Sequence, residues 1–113
     1  MDHEADPGAR VVAALEQVTA ATAAALAAAA AAGGPLAQAR AYGRLAQVLD
    51  QTRVAASRER GTAILKLRRD LRRSGSATLE EMGRLLGLTK ARVWQIISAA
   101  EKRQHHRRDT RGE

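Results

Sequence analysis

The sequence predicts an all-α protein: an N-terminal antiparallel helical hairpin followed by a trihelical helix-turn-helix unit. Three observations predict it. Glycine and proline are sparse, nine and two in 113 residues, and no β-branched run interrupts the helical pattern. Eleven of the thirteen residues from Ala20 to Ala32 are alanine, the best helix former. Residues 78–97, TLEEMGRLLGLTKARVWQII, carry the apolar and glycine spacing of two short helices crossing at a tight turn.

Taken in order, residues 1–8 are polar, contain Pro7 and Gly8, and are expected to be a disordered N-terminus. An Ala-rich helical hairpin is expected over 9–60. Its first helix runs from about Ala9 to Ala32, with Val11, Leu15, Val18, Thr22, Ala25 and Ala29 recurring at alternating four and three, the spacing of a narrow coiled-coil seam. Gly33-Gly34-Pro35 stops it, and proline suits the first turn of the helix that follows. That second helix starts near Leu36 and continues the stripe through Leu45, Leu49, Thr52 and Ala56. A flexible, merely solvating alanine arm is the competing reading. The helix either runs on or breaks near Gly61-Thr62; Ile64, Leu65, Leu67 and Leu71 then form a new apolar face, and Ser74-Gly75-Ser76 is a stop.

The helix-turn-helix domain is placed at 61–102. Thr78 begins a capping box: its hydroxyl can accept the Glu81 N–H while the Glu81 carboxylate reaches back to the Thr78 N–H. Leu79, Met82, Leu85 and Leu86 give one face to bury, Gly83 permits a close crossing, and Gly87 supplies the turn. Leu88 plugs the core under that turn, and Thr89 caps the next helix. On it, Val93, Ile96, Ile97 and Ala100 share one arc, and Ala91, Trp94, Gln95 and Ser98 lie opposite with Lys90 at the flank. Residues 103–113, rich in Arg and His, are expected to be a basic disordered tail.

Composition excludes several classes. With no cysteine and no Phe, disulfides and thiolate metal sites are absent, and stability must come from helix packing or a second subunit. Adjacent His105 and His106 lack a third ligand partner, so no metal or other cofactor is expected. Glu80 and Glu81 are adjacent, but Glu81 has a capping role, and no nucleophile–base constellation accompanies them. The chain is expected not to be an enzyme. Val18–Ala32 is apolar, yet its leader is acidic and the run is weakly hydrophobic, so a cytoplasmic protein without a membrane segment is expected.

Charge is uneven. Residues 1–52 hold Arg10, Arg40 and Arg44 against Asp2, Glu4, Asp6, Glu16 and Asp50, a net of −2; residues 53–113 hold sixteen basic residues against seven acidic ones, a net of +9. A basic half implies a polyanion partner, double-stranded DNA before acidic lipid, with a solvated helix surface as the bland alternative. The expected base-facing set is Thr89, Lys90, Ala91, Trp94, Gln95 and Ser98. Gln95 can pair with adenine, Lys90 can reach guanine, and Ala91 can touch a thymine methyl. Thr78, Arg84, Arg92, Lys102 and Arg103 are the expected phosphate contacts. Trp94 reads either as a half-buried ring beside Ile97 or as a DNA or partner contact.

The stretch TLEEMGRLLGLTKARVWQI resembles region 4 of primary bacterial sigma factors, the helix-turn-helix that reads the promoter −35 element, with a looser echo in RERGTAILKLRRDL. The likeness covers about twenty residues. Gln95 matches a base-reading position of that family; Lys90 stands in place of its usual arginine, Ala91 in place of an acidic residue, and Trp94 in place of an arginine. The regions of that family that bind core polymerase and melt promoter DNA are not in this chain. The resemblance implies a DNA-facing helix. The expected function is a sequence-specific, nucleoid-associated bacterial DNA-binding protein, a transcriptional regulator paired as a homodimer through its hairpin, with RNA polymerase or another protein as a further partner. An accessory role in a plasmid, phage or recombination system, or a helical protein-interaction module, are the alternatives.

Overall fold

The computed structural model describes the backbone of residues 6–111 and the side chains of residues 6–108. Among the described residues all regular structure is helical, in four elements: α1 (Pro7–Ala30), α2 (Gly34–Arg73), α3 (Leu79–Leu86) and α4 (Lys90–Arg111). The chain divides into two compact units, Met1–Gln51 and Thr52–Glu113.

In the first unit, α1 starts earlier than the composition of 1–8 implied. The Asp6 side chain accepts the Ala9 N–H at 3.1 Å, and Pro7 occupies the first helical position, where its missing donor costs nothing. Residues 1–5 lie outside the described residues. Gln38 donates its side-chain amide to the Ala30 carbonyl at 2.8 Å, satisfying one of the open acceptors at the end of α1. Of the seam expected to zip the two helices, only the part nearest the turn is covered. Ala29 is buried, and Thr22, Ala25, Ala37, Ala41 and Leu45 are half-buried. Every residue from Asp6 to Ala21 is exposed, Val11, Leu15 and Val18 included. Alanine explains the shortfall, because a methyl group buries too little area to hold a long contact. By length and composition alone α1 could cross a bilayer, with a mean hydropathy of 1.6 over its best window.

In the second unit, α2 does not break at Gly61. A helical glycine costs about 1 kcal/mol relative to alanine, but this one is buried and serves a crossing. A Cβ on Gly61 would lie 3.1 Å from the Ala100 Cβ. Ser57 and Arg60 sit beside Arg92, Gln95 and Arg103 of α4, so α2 joins the second unit well before the expected start at 61. The core is one cluster: Ile64 and Leu65 from α2, Met82 from α3, and Val93, Ile96, Ile97 and Ala100 from α4. Leu67, Leu71, Leu79 and Leu88 pack on its rim. Arg68 reaches Glu101 at 2.5 Å and ties α2 to α4. A half-exposed pair of this kind is worth at most about 1 kcal/mol, so it sets register more than stability.

Two further expectations are corrected. Leu85 is 50 % exposed and Leu86 is exposed as well. The buried arc of α3 is centred between Met82 and Gly83, and Leu85 lies roughly 100° around the helix from it. Residues 103–111, expected to be disordered, continue α4. No glycine or proline interrupts them, and their cations lie toward the helix C-terminus, where the macrodipole favours positive charge. Residues 112–113 and the side chains of residues 109–111 lie outside what is described.

Candidate nucleic-acid interface

Local hydrogen bonds build the bihelix. The Thr78 hydroxyl accepts the Glu81 N–H at 3.0 Å and starts α3. The reciprocal half of the expected capping box is not made. The Thr78 N–H donates to the Ser76 carbonyl at 3.0 Å, and the Glu81 carboxylate instead takes both the Nε (3.1 Å) and an Nη of Arg84. An i,i+3 guanidinium offers a charge-assisted, forked partner that one backbone N–H cannot match.

Gly87, at φ 69° and ψ 31°, closes α3 in the left-handed conformation. The Leu88 N–H then donates to the Gly83 carbonyl at 2.9 Å. The Thr89 hydroxyl accepts the Arg92 N–H at 3.1 Å and starts α4. Three residues of backbone, Gly87, Leu88 and Thr89, therefore set the angle between the two helices.

The Arg84 guanidinium, bonded to the Glu81 carboxylate, holds that carboxyl below its ordinary value. With the folded value below the unfolded one, the pair contributes above the usual carboxylate range. That contribution is lost as pH falls through the depressed folded value. Both groups lie at the surface, so the effect is small. Glu81→Gln is expected to flatten a shallow acid-side decline in thermal midpoint, read by circular dichroism from about pH 6 to about pH 2.

On α4 the buried and open faces separate cleanly. Val93 and Ile97 are fully buried, with Ile96 and Ala100 beside them. Thr89, Lys90, Ala91, Arg92, Trp94 and Gln95 are exposed, and Trp94 keeps 55 % of its surface open. Of the two readings of Trp94, a half-buried ring beside Ile97 and a DNA or partner contact, the side chain has the exposure that the second needs. Ser98, expected to face bases, is half-buried, a small side chain flanked by Glu101 and Lys102. Arg92 donates to the Gln95 carboxamide oxygen at 3.3 Å, a contact that spacing alone had not singled out. It leaves the two amide N–H groups of Gln95 as the available donors.

Among the expected phosphate contacts, Thr78, Arg84, Arg92 and Lys102 are exposed. The Thr78 hydroxyl, though accepting from Glu81, still has its own proton to donate. Arg103 is half-buried, with Nη2 2.6 Å from where a Gly61 Cβ would stand. It packs on α2 instead of lying in a loose tail. Arg58 of α2 joins Lys102, Arg103, His106 and Arg107 of α4 around one shallow depression. Arg69 joins Arg107 and Arg108 around another. These α2 arginines were read from the sequence as part of a general basic cluster. Their meeting with α4 depends on the helix crossing.

Among the described residues no group of three or more His, Cys, Asp or Glu side chains is placed to hold a metal ion. No protein-family model, curated protein or solved structure matches this chain.

Proposed function

We propose that this protein binds double-stranded DNA without catalysing a reaction, presenting α4 to the major groove as a sequence-reading transcriptional regulator. One observation carries the reading: Lys90, Ala91, Trp94 and Gln95 are free of the core that Val93, Ile96 and Ile97 build on the same helix. Their chemistry suits base edges, with a carboxamide for adenine, an ammonium for guanine and a methyl for thymine. Thr78, Arg84, Arg92 and Lys102 supply donors for the flanking phosphates, and the cations of α4 with Arg58 and Arg69 add sequence-independent attraction. The sigma region 4 resemblance points the same way. The departures at Lys90, Ala91 and Trp94 argue for a different element from the −35 hexamer. A cytoplasmic, nucleoid-associated location follows from this partner.

The test is retention on random duplex DNA as salt is raised. Retention should be strong at about 50 mM salt and fall steeply by about 200 mM, as counterion release requires. No retention at the lower salt would overturn the proposal. Sites selected from random sequence then separate two roles. Gln95→Ala is expected to relax preference at one base position, at a cost of about 1–3 kcal/mol. Arg92→Ala is expected to weaken all sites alike and to reduce the salt slope by about one.

A second reading has its own support. Leu85, Leu86 and Trp94 are exposed large apolar side chains on α3 and α4, and exposed aromatics are enriched in protein interfaces. A bihelix that docks a protein such as RNA polymerase would use them. Absence of DNA retention together with a loss of partner binding in Trp94→Ala would favour this reading.

A further inference from the structure

We infer that the first unit pairs with a second copy of this chain along a stripe of α1 that α2 leaves uncovered. The unit has almost no core of its own: Ala29 is its one buried residue among those described. Of the exposed large apolar side chains among the described residues, nine fall in this unit and three in the other. The excess marks an incomplete fold, not scattered surface residues.

The covered and open stripes of α1 are distinct. Thr22, Ala25 and Ala29 are shielded near the turn. Val12, Leu15, Thr19 and Leu26 lie on an adjacent arc, recurring at three-four spacing, and all four are exposed. Val12, Leu15 and Thr19 line one shallow, mostly apolar depression with Ala20, Ala23 and, at its border, Glu16. Leu49 and Tyr42 of α2 are also open. An arc of that width suits packing between helical hairpins, where each helix touches more than one neighbour.

The occupant follows from charge and size. No charged residue occurs between Gln17 and Ala39, so the stripe from Thr19 to Leu36 offers nothing to select a charged partner and nothing to repel its own copy; Glu16 borders it at the depression. The second unit, strongly basic, opposes self-association through its own surface. A stripe about 10 Å wide along α1 and along α2 to Gln51 amounts to roughly 600 Å² per copy, within the span of specific interfaces. A lipid bilayer is the competing apolar surface, but Arg10, Glu16 and Gln17 interrupt α1, and charges inside a bilayer are costly. Two-fold pairing is self-complementary, so each residue of the stripe meets the stripe of the second copy.

The inference does not depend on DNA binding, and its test contains no DNA. Sedimentation equilibrium of the full chain at about 100 µM should give twice the chain mass of 12.1 kDa, since standard-size interfaces reach micromolar or tighter dissociation constants. A single-chain mass there overturns it. In the same measurement Leu15→Glu, which puts a charge on the stripe, should give a single-chain mass, and Ala13→Glu, on the reverse face of α1, should keep the doubled mass. Equal masses for the two variants overturn the stripe assignment. A single-chain mass accompanied by flotation with neutral phosphatidylcholine vesicles would overturn pairing in favour of the bilayer.

Discussion

Gly83→Ala is expected to lower the stability of the second unit by about 3 kcal/mol, the upper range for forcing atoms into a packed site. The added Cβ would stand 2.5 Å from the Leu88 carbonyl oxygen, a backbone atom that no side-chain rotation can move away. Leu88 cannot yield easily, because its N–H is bonded to the Gly83 carbonyl and its side chain packs on the core. The variant must therefore separate α3 from α4 or open the turn. Chemical denaturation followed by helical circular dichroism measures the loss, and a change within about 0.5 kcal/mol, typical of a surface position, would show that the crossing is looser than described. Gly87→Ala is the companion, expected to cost about 1–2 kcal/mol for placing a side chain at φ 69°.

Ile97→Ala is expected to cost about 2–5 kcal/mol. Ile97 is fully buried and stands in a cluster contributed by three helices. Removing its methyl groups leaves a void that so small a core can close only by shifting α3 or α2. Leu85→Ala supplies the contrast: with half its surface already in water, it is expected to change stability by less than about 1 kcal/mol. Equal losses in the two variants would mean that α3 buries the wider face expected from its sequence. Under the DNA reading, Ile97→Ala and Gly83→Ala also abolish retention, whereas Gln95→Ala changes preference with the fold intact.

The two ends of α3 and the start of α4 were legible because capping is local. Thr78, Gly87 and Thr89 act on partners within three or four residues, and such contacts follow from sequence spacing. The outward placement of Lys90, Ala91, Trp94 and Gln95 was legible for the same reason, since a rotation of 100° per residue sorts one helix into faces. The width of those faces was not. Leu85 fell outside the buried arc and Ser98 was partly covered, because where a face ends depends on the angle at which a neighbour crosses it.

By itself, then, the sequence determined an all-helical chain, the turn at Gly87, the apolar residues that make the second core, and the concentration of positive charge in that half. These rest on propensity, capping and periodicity, which act over one or two turns. Tertiary structure alone decided that Gly61 is a crossing point with Ala100 instead of a break, and that Arg68 meets Glu101. It also decided that α1 is covered only near the turn. Each depends on which surfaces meet and on how much area the meeting buries, and a run of alanine methyl groups has the spacing of a seam without the bulk to close one.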